Sequence, residues 1–492
     1  MRCSELRKAR VGRLAFAGTT SALLTLAPIV AVSSACQTAP SPTGAARELV
    51  IVDSPVVALT GVNLIDGTGA PARSGQTVVI RDGRIEAVGP SGSTAIPEGA
   101  EVLELEGHTV IPGLIGLHDH LFYTAAGGRR VQLNFSGPRL YLGSGVTTIR
   151  TTGSFTPFAD INLKAGIDAG RSPGPRIHIT APYITGDEGP GYKAQMYTPE
   201  QARRFVRYWA EEGATWLKAY TTVRRAELAA AIDEAHSQGL KVTGHLCSIS
   251  FTEAVELGID NLEHGLLTAS DFIPGKQPDE CPRNLMVEVG NRFEIDSPET
   301  RDVIRTLVDN GVSMTSTMAV YEPFFPGRPV RDERTLELMA PEIREAYLAE
   351  RDRIDGATEN FPLKPAFLEK AMAFEKAFAD AGGVLAAGVD PTGIGGALPG
   401  LGDQRNVELL IEAGFSAEEA IEIASANGAR VLGVFNDLGT VEAGKIADLA
   451  VLDGDLARDA AAIRQVTIVF KDGFGYDARA LVGSVTGMVG IR

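Results

Sequence analysis

Between Leu114 and Asp390 strand-like runs alternate with helical ones eight times, and this rhythm constrains the fold more than any other feature of the 492-residue chain. The strand-like runs lie near Leu114–His120, Thr147–Thr152, Ile177–Tyr183, Trp216–Thr221, Lys241–Cys247, Asn261–Gly265, Val312–Met318 and Val384–Asp390. Helical patterns separate them, as in Pro199–Ala214, Arg225–Gly239 and Pro365–Gly382. Pro199 and Pro365 open two of these and Gly239 and Gly382 close two, the asymmetry expected of helix ends. Eight β/α units predict an α/β fold, a (β/α)8 TIM barrel over residues 111–435. A doubly wound open sheet is the alternative.

The flanks read differently. Residues 56–110 give short β runs (VVALTGVNLI, then TVVIRDGRIEAVG) in which Asp82-Gly83 marks a hairpin, an antiparallel β module. Residues 436–492 return to β-and-turn character in LGTVEAGKIADLAVLDGD and AIRQVTIVFKDGFGYD. The simplest architecture joins both ends into one small β-sandwich beside the barrel. Two segments, Thr268–Pro298 and Tyr321–Phe361, exceed ordinary connections. Long excursions after barrel strands build a substrate pocket or a lid.

The first residues read as an address. Arg2, Arg7, Lys8, Arg10 and Arg13 stand against one acid, Glu5, and an apolar run from Leu14 to Val32 ends in Ser33-Ser34-Ala35-Cys36. This predicts a signal peptide over residues 1–35 and export to the periplasm; a retained membrane anchor is the alternative, since the run is nearly long enough to span. The exit resembles a bacterial lipobox, although Ser33 stands where leucine is common. That resemblance implies lipidation of Cys36, with residues 36–55 as a polar tether; ordinary cleavage near Ala35 is the other reading. In an oxidising compartment Cys247 and Cys281 are left to form a disulfide, or to stay as two buried thiols. The net charge of −16, without a basic stripe, excludes nucleic acid as partner. Any membrane attachment would run through the lipid.

The chemistry-bearing residues cluster at strand ends. His118 and His120 lie two apart at the end of the first run, so both imidazoles share a face and can reach one metal ion. Lys218 interrupts the apolar fourth run, His245 ends the fifth, His264 the sixth and Asp390 the eighth. The C-terminal ends of barrel strands are where such enzymes place catalytic groups. Tyr220, two beyond Lys218, shares its inward face, to bind substrate, donate to an oxyanion or pack the barrel. His108, His178 and His236 read as structural. Cys247 shares its direction with His245, so a thiol ligand is conceivable. Arg328, Arg331 and Arg334 form either a carboxylate contact or a solvated charge run.

The set resembles the amidohydrolase superfamily with a binuclear metal centre, in its prolidase-like and imidazolonepropionase-related branch. The supporting segments are PGLIGLHDH, WLKAY, AELAAAIDEAHSQGLKVTGH, AVELGIDNLEHG and EAGKIADLAVLDGD. The resemblance implies two divalent ions, zinc above all, one held by His118, His120 and Asp390 and the other by His245 and His264. It implies a carbamate on Lys218, formed from carbon dioxide, as the bridge between them. The aspartate usual before the first ligand histidine is Gly116 here. The implied reaction is attack of a metal-bridged hydroxide on an amide (C–N) bond, with Asp390 as general base and then general acid. The expected substrate is a small amide or peptide, such as a dipeptide or an N-acyl amino acid. A lactonase or esterase on the same centre and a non-catalytic binding scaffold are the alternatives. A homo-oligomer is also expected.

Overall fold

Eight parallel strands form at the eight strand-like runs in the computed structural model, which describes residues 40–187, 193–328, 332–357 and 361–491. They are Leu114–Gly116, Val146–Arg150, Arg176–His178 continued by Thr180–Thr185, Trp216–Ala219, Lys241–Gly244, Asn261–Glu263, Ser313–Ser316 and Leu385–Ala387. Each pairs in parallel with the next along the chain. The ring closes where Leu117 N donates to Ala387 O (2.8 Å) and Asp390 N to His118 O (2.7 Å). Closure needs glycine at 388, because a Cβ there would collide with the His118 backbone. Seven of the eight strands end before the runs that predict them, because the last residues leave the ladder to carry side chains into the mouth; the third runs on to Thr185.

The surrounding helices follow from sequence period and caps. In Pro199–Glu211 the buried residues Ala202, Val206 and Trp209 recur at three- and four-residue spacing, and the Thr198 side chain accepts from Gln201 N at the N-terminus. Among the described residues no helix is long and apolar enough to cross a membrane.

The chain ends build one nine-stranded sheet, which corrects three expectations. The sheet is mixed, because Val56–Leu64 pairs in parallel with both Glu101–Glu104 and His108–Pro112. After the hairpin of Arg73–Arg81 and Arg84–Pro90, the chain crosses back beside Val56–Leu64 in the same direction. In place of two layers forming a sandwich, a single sheet curls on itself, with Ile85 N donating to Lys445 O and Ala447 N to Gly83 O. Its inner face encloses Val57, Leu59, Val78, Ile80, Val451 and Phe470. The tether is also shorter than 36–55: Ala46 is buried, and Val50–Val52 pairs antiparallel with Phe474–Asp477 as an edge strand. The signal peptide and Cys36 lie outside the described residues.

Both long excursions contain helices. The first carries Leu285–Arg292 and is tied to the mouth by a disulfide between Cys247 and Cys281 (Cα–Cα 4.9 Å). That bond takes the Cys247 sulfur away from any role as a thiol ligand. The second carries Glu333–Leu338 and Pro341–Ala357, pinned by Arg351, which donates to Pro323 O and Asp355.

Candidate active site

Three imidazoles are anchored through Nδ1, so that each presents Nε2 to the same place. His118 Nδ1–H donates to Glu263 Oε2 (2.8 Å), His120 Nδ1–H to Gly153 O (3.1 Å) and His264 Nδ1–H to Thr317 Oγ1 (2.7 Å). Such outer contacts fix tautomer and ring direction in metal sites. Asp390 stands between the first two, with Oδ1 3.2 Å from His120 Nε2 and Oδ2 3.5 Å from His118 Nε2. Lys218 Nζ, buried on the fourth strand, lies 3.1 Å from His118 Nε2. The His245 and His264 rings pack 4.4 Å apart, and Tyr220 lies 4.8 Å from His245.

Backbone strain helps to aim two of these groups. His264 (φ 71°) and Asp390 (φ 48°) are both left-handed, a conformation uncommon outside glycine that persists where the surroundings enforce it. Each follows a barrel strand, and the turn swings the side chain over the mouth.

Burial decides the charge states. It holds His118 and His264 well below the ordinary histidine value and takes His245 down to about 3, with Lys218 or a neighbouring histidine adding repulsion. Neutral imidazole is the form that ligates metal. Burial also lowers the Lys218 ammonium to about 8, against the pull of Glu263 and Asp390. Burial alone would raise the Asp390 carboxyl, yet His118, His120 and Lys218 hold it below the usual carboxylate range.

The donor set fits a divalent cation. One ligand atom each from His118, His264 and Asp390 lies within 4.8 Å of the others, and His264 Nε2 is buried with no hydrogen-bond partner. An unpaired buried nitrogen carries a desolvation cost that a metal ion would remove.

Beneath the mouth the barrel interior is polar. Arg150, fully buried, donates to Leu117 O (2.6 Å), Glu263 Oε1 (2.6 Å) and Asn261 Oδ1 (3.0 Å) and stacks on Trp216. Thr243 donates to Glu263 as well. This pair holds the strand that carries His264 and, through Glu263, the His118 ring. Arg150→Met is expected to lower stability by about 3–5 kcal/mol, since it strands a buried carboxylate. Denaturant unfolding measures this, and a loss under about 1 kcal/mol would mean that the floor tolerates the unpaired charge.

His118, His120, Lys218, Tyr220, His245 and Asp390 line one cavity of about 280 Å³, with His264 behind them, 4.5 Å from the His118 ring. Gly116 also has a physical reason, since a Cβ there would run into the Asp119 carboxylate, which accepts from Val389 N (3.1 Å). The other candidates lie elsewhere. Arg328 pairs with Glu322 and Glu412, and Arg334 with Asp332, away from the cavity; Arg331 is outside the described residues. His236 pairs with Asp260 (3.0 Å), His108 sits in the curled sheet, and His178 does not line the cavity. Sequence reasoning missed Arg130, Tyr183, Lys193 and Tyr321, which do line it. Tyr321 could have been found as the first residue of the second excursion; Lys193 sits in a loop without period. A second cavity of about 300 Å³, walled by Arg334, Arg405 and Arg464, holds only Arg334 of the predicted groups, and its arginines are paired with acids.

The profile of the amidohydrolase family matches residues 109–474. A Bifidobacterium longum protein solved as a candidate prolidase is 26% identical, with a TM-score of 0.63 over 87% of this chain and 98% of that one. A Xaa-Pro dipeptidase with methionine bound in its active site is 20% identical (TM-score 0.62; 86% and 100% covered). Phenylurea hydrolase B is 22% identical (TM-score 0.62; 89% and 100%). These last two show a shared fold. An uncharacterised protein of Mycobacterium tuberculosis is 27% identical over 228 residues, 42% of this chain and 56% of the relative. The chain thus spans about half the length of the curated relatives it matches.

Proposed function

The chain belongs to the amidohydrolase family, and we propose that it is a metal-dependent hydrolase that cleaves an amide (C–N) bond in a small substrate such as a dipeptide or an N-acyl amino acid. The observation that carries this reading is the convergence of His118, His264 and Asp390, with a partnerless His264 Nε2 among them. His118, His120 and Asp390 would hold one divalent ion, and His245 and His264 a second. Zinc suits this histidine-rich, oxygen-completed set. When bound, such ions lower the pKa of water toward neutrality and polarise a carbonyl.

Lys218 needs its carbamate for a physical reason. A bare ammonium 3.1 Å from His118 Nε2 would repel a cation, whereas a carbamate offers two anionic oxygens to both. Its formation joins the amine nitrogen to the carbon of carbon dioxide and releases one proton. Asp390 takes the proton from the attacking water and returns it to the leaving nitrogen. Tyr220, beside His245, donates its hydroxyl to the substrate carbonyl oxygen. The test is zinc-loaded protein against a library of dipeptides and N-acyl amino acids. Release of free amine supports the proposal; turnover of lactones alone, or of nothing, overturns it.

We further propose that the protein is exported to the periplasm and anchored by a lipid on Cys36. Clickable fatty acid should label the wild type and not Cys36→Ala; an unlabelled wild type ends the anchor.

A further inference from the structure

The cavity over the histidines has two unlike walls. Loops after the first and third barrel strands contribute Arg130 and Lys193, while the excursion after the seventh contributes Val320, Tyr321 and Phe324. Asp390 is the single carboxylate among the described lining residues, in a chain whose net charge is −16. Lys193 Nζ sits 3.1 Å from the centre of the Tyr220 ring, and that ring packs 4.8 Å from His245. One aromatic ring therefore separates this cation from the imidazoles. Arg130 reaches the same wall from a two-stranded hairpin, Phe122–Thr124 against Arg130–Gln132. Burial, and then the nearness of Arg130 and Lys218, pushes the Lys193 ammonium down to about 7. Arg130 is exposed and Lys193 half-buried, and an anion bound between them would accept a charge-assisted hydrogen bond from each.

We propose that Arg130 and Lys193 form a carboxylate subsite and that the substrate is an N-acyl amino acid with an apolar acyl group, in preference to a dipeptide with a free amino terminus. This rests on the amide-hydrolase reading above and adds the orientation of the substrate. In an N-acyl amino acid three bonds separate the scissile carbonyl carbon from the carboxyl carbon, about 4 Å. With the carbonyl over the centre, the carboxylate falls on the cationic wall and the acyl chain on Val320 and Phe324. The α-ammonium of a dipeptide would instead sit on the apolar wall, where the described lining offers it no carboxylate but Asp390, already engaged with His118 and His120. Burying an unpaired ammonium is strongly unfavourable. In the reaction the water oxygen bonds to the acyl carbon, the C–N bond breaks, and the nitrogen leaves protonated. A carboxylate and a free amino acid result.

Two measurements test this on the full chain. For zinc-loaded protein, kcat/KM is compared for N-hexanoyl-L-alanine, its carboxamide and leucyl-alanine. The acid should exceed the other two, and Lys193→Met or Arg130→Gln should each cut the acid-to-carboxamide ratio by about 10–100-fold, mainly through KM, the scale of a lost hydrogen bond to a charge. Calorimetric titration of the Asp390→Asn protein with the same three compounds gives the second readout, with the acid binding at least ~10-fold tighter. Equal affinities, binding of none of the three, or preference for leucyl-alanine overturns the subsite. A protein that cleaves no amide yet keeps the binding preference loses the proposed reaction and retains the subsite. One that cleaves amides without the preference retains the reaction and loses the subsite.

Discussion

Lys218→Ala is expected to bring metal content below one ion per chain and to lower turnover by more than ~10²-fold. The magnitude has a floor: removing a residue that merely positions a ligand costs about 10–100-fold in metal affinity or activity, and Lys218 would itself be the bridge. Its surroundings support a role beyond packing. The amine is fully buried on the fourth strand, 3.1 Å from His118 Nε2, and burial brings it down to about 8, so a neutral fraction able to attack carbon dioxide exists near neutral pH. The alanine variant leaves a space of carboxylate size beside the imidazoles. A small carboxylic acid with bicarbonate should enter it and restore part of both metal content and turnover. Intact-mass measurement of the wild type, under conditions that preserve carbamates, should show one added carbon dioxide. Metal content unchanged in Lys218→Ala would remove the bridge.

How much of this was legible in the sequence depended on the range of the interaction. The barrel strands were readable because burial imposes local patterns, and the site histidines because they break those patterns at strand ends. Arg150 and Glu263 were not singled out, although they form the ion pair under the site. Both lie within strand-like runs, and 113 residues separate them, so nothing local marks either as half of a pair. Arg130 stands on a short hairpin strand and Lys193 in a loop, and only the closed barrel brings them to one wall. The parallel pairing of Val56–Leu64 is hidden from the sequence for a related reason. Alternation fixes which face of a strand is buried but not the direction of its neighbour. Val50–Val52 reads as tether in the sequence because its partner, Phe474–Asp477, lies at the far end of the chain.

Asp390→Asn separates the two duties proposed for that carboxylate. The residue is held by more than its charge: its backbone N–H donates to His118 O, Thr392 Oγ1 donates to Oδ1 (2.9 Å), and Pro391 follows its left-handed turn. Asparagine has the same shape, tolerates positive φ, and can still offer an oxygen to the cluster. His118, His120, His245, His264 and Lys218 are untouched, so metal content should stay near that of the wild type. What asparagine cannot do is accept the proton of the attacking water and return it to the leaving nitrogen. Turnover should therefore fall by at least ~10²-fold, the scale of a lost acid–base group. Metal analysis and steady-state kinetics on one preparation separate the outcomes. Loss of metal together with activity would make Asp390 chiefly a ligand. Turnover within a few-fold of wild type would assign the proton transfer to another group in the cavity, with Tyr220 and Tyr321 next in reach of the imidazoles at 4.8 Å from His245 and 5.3 Å from His264.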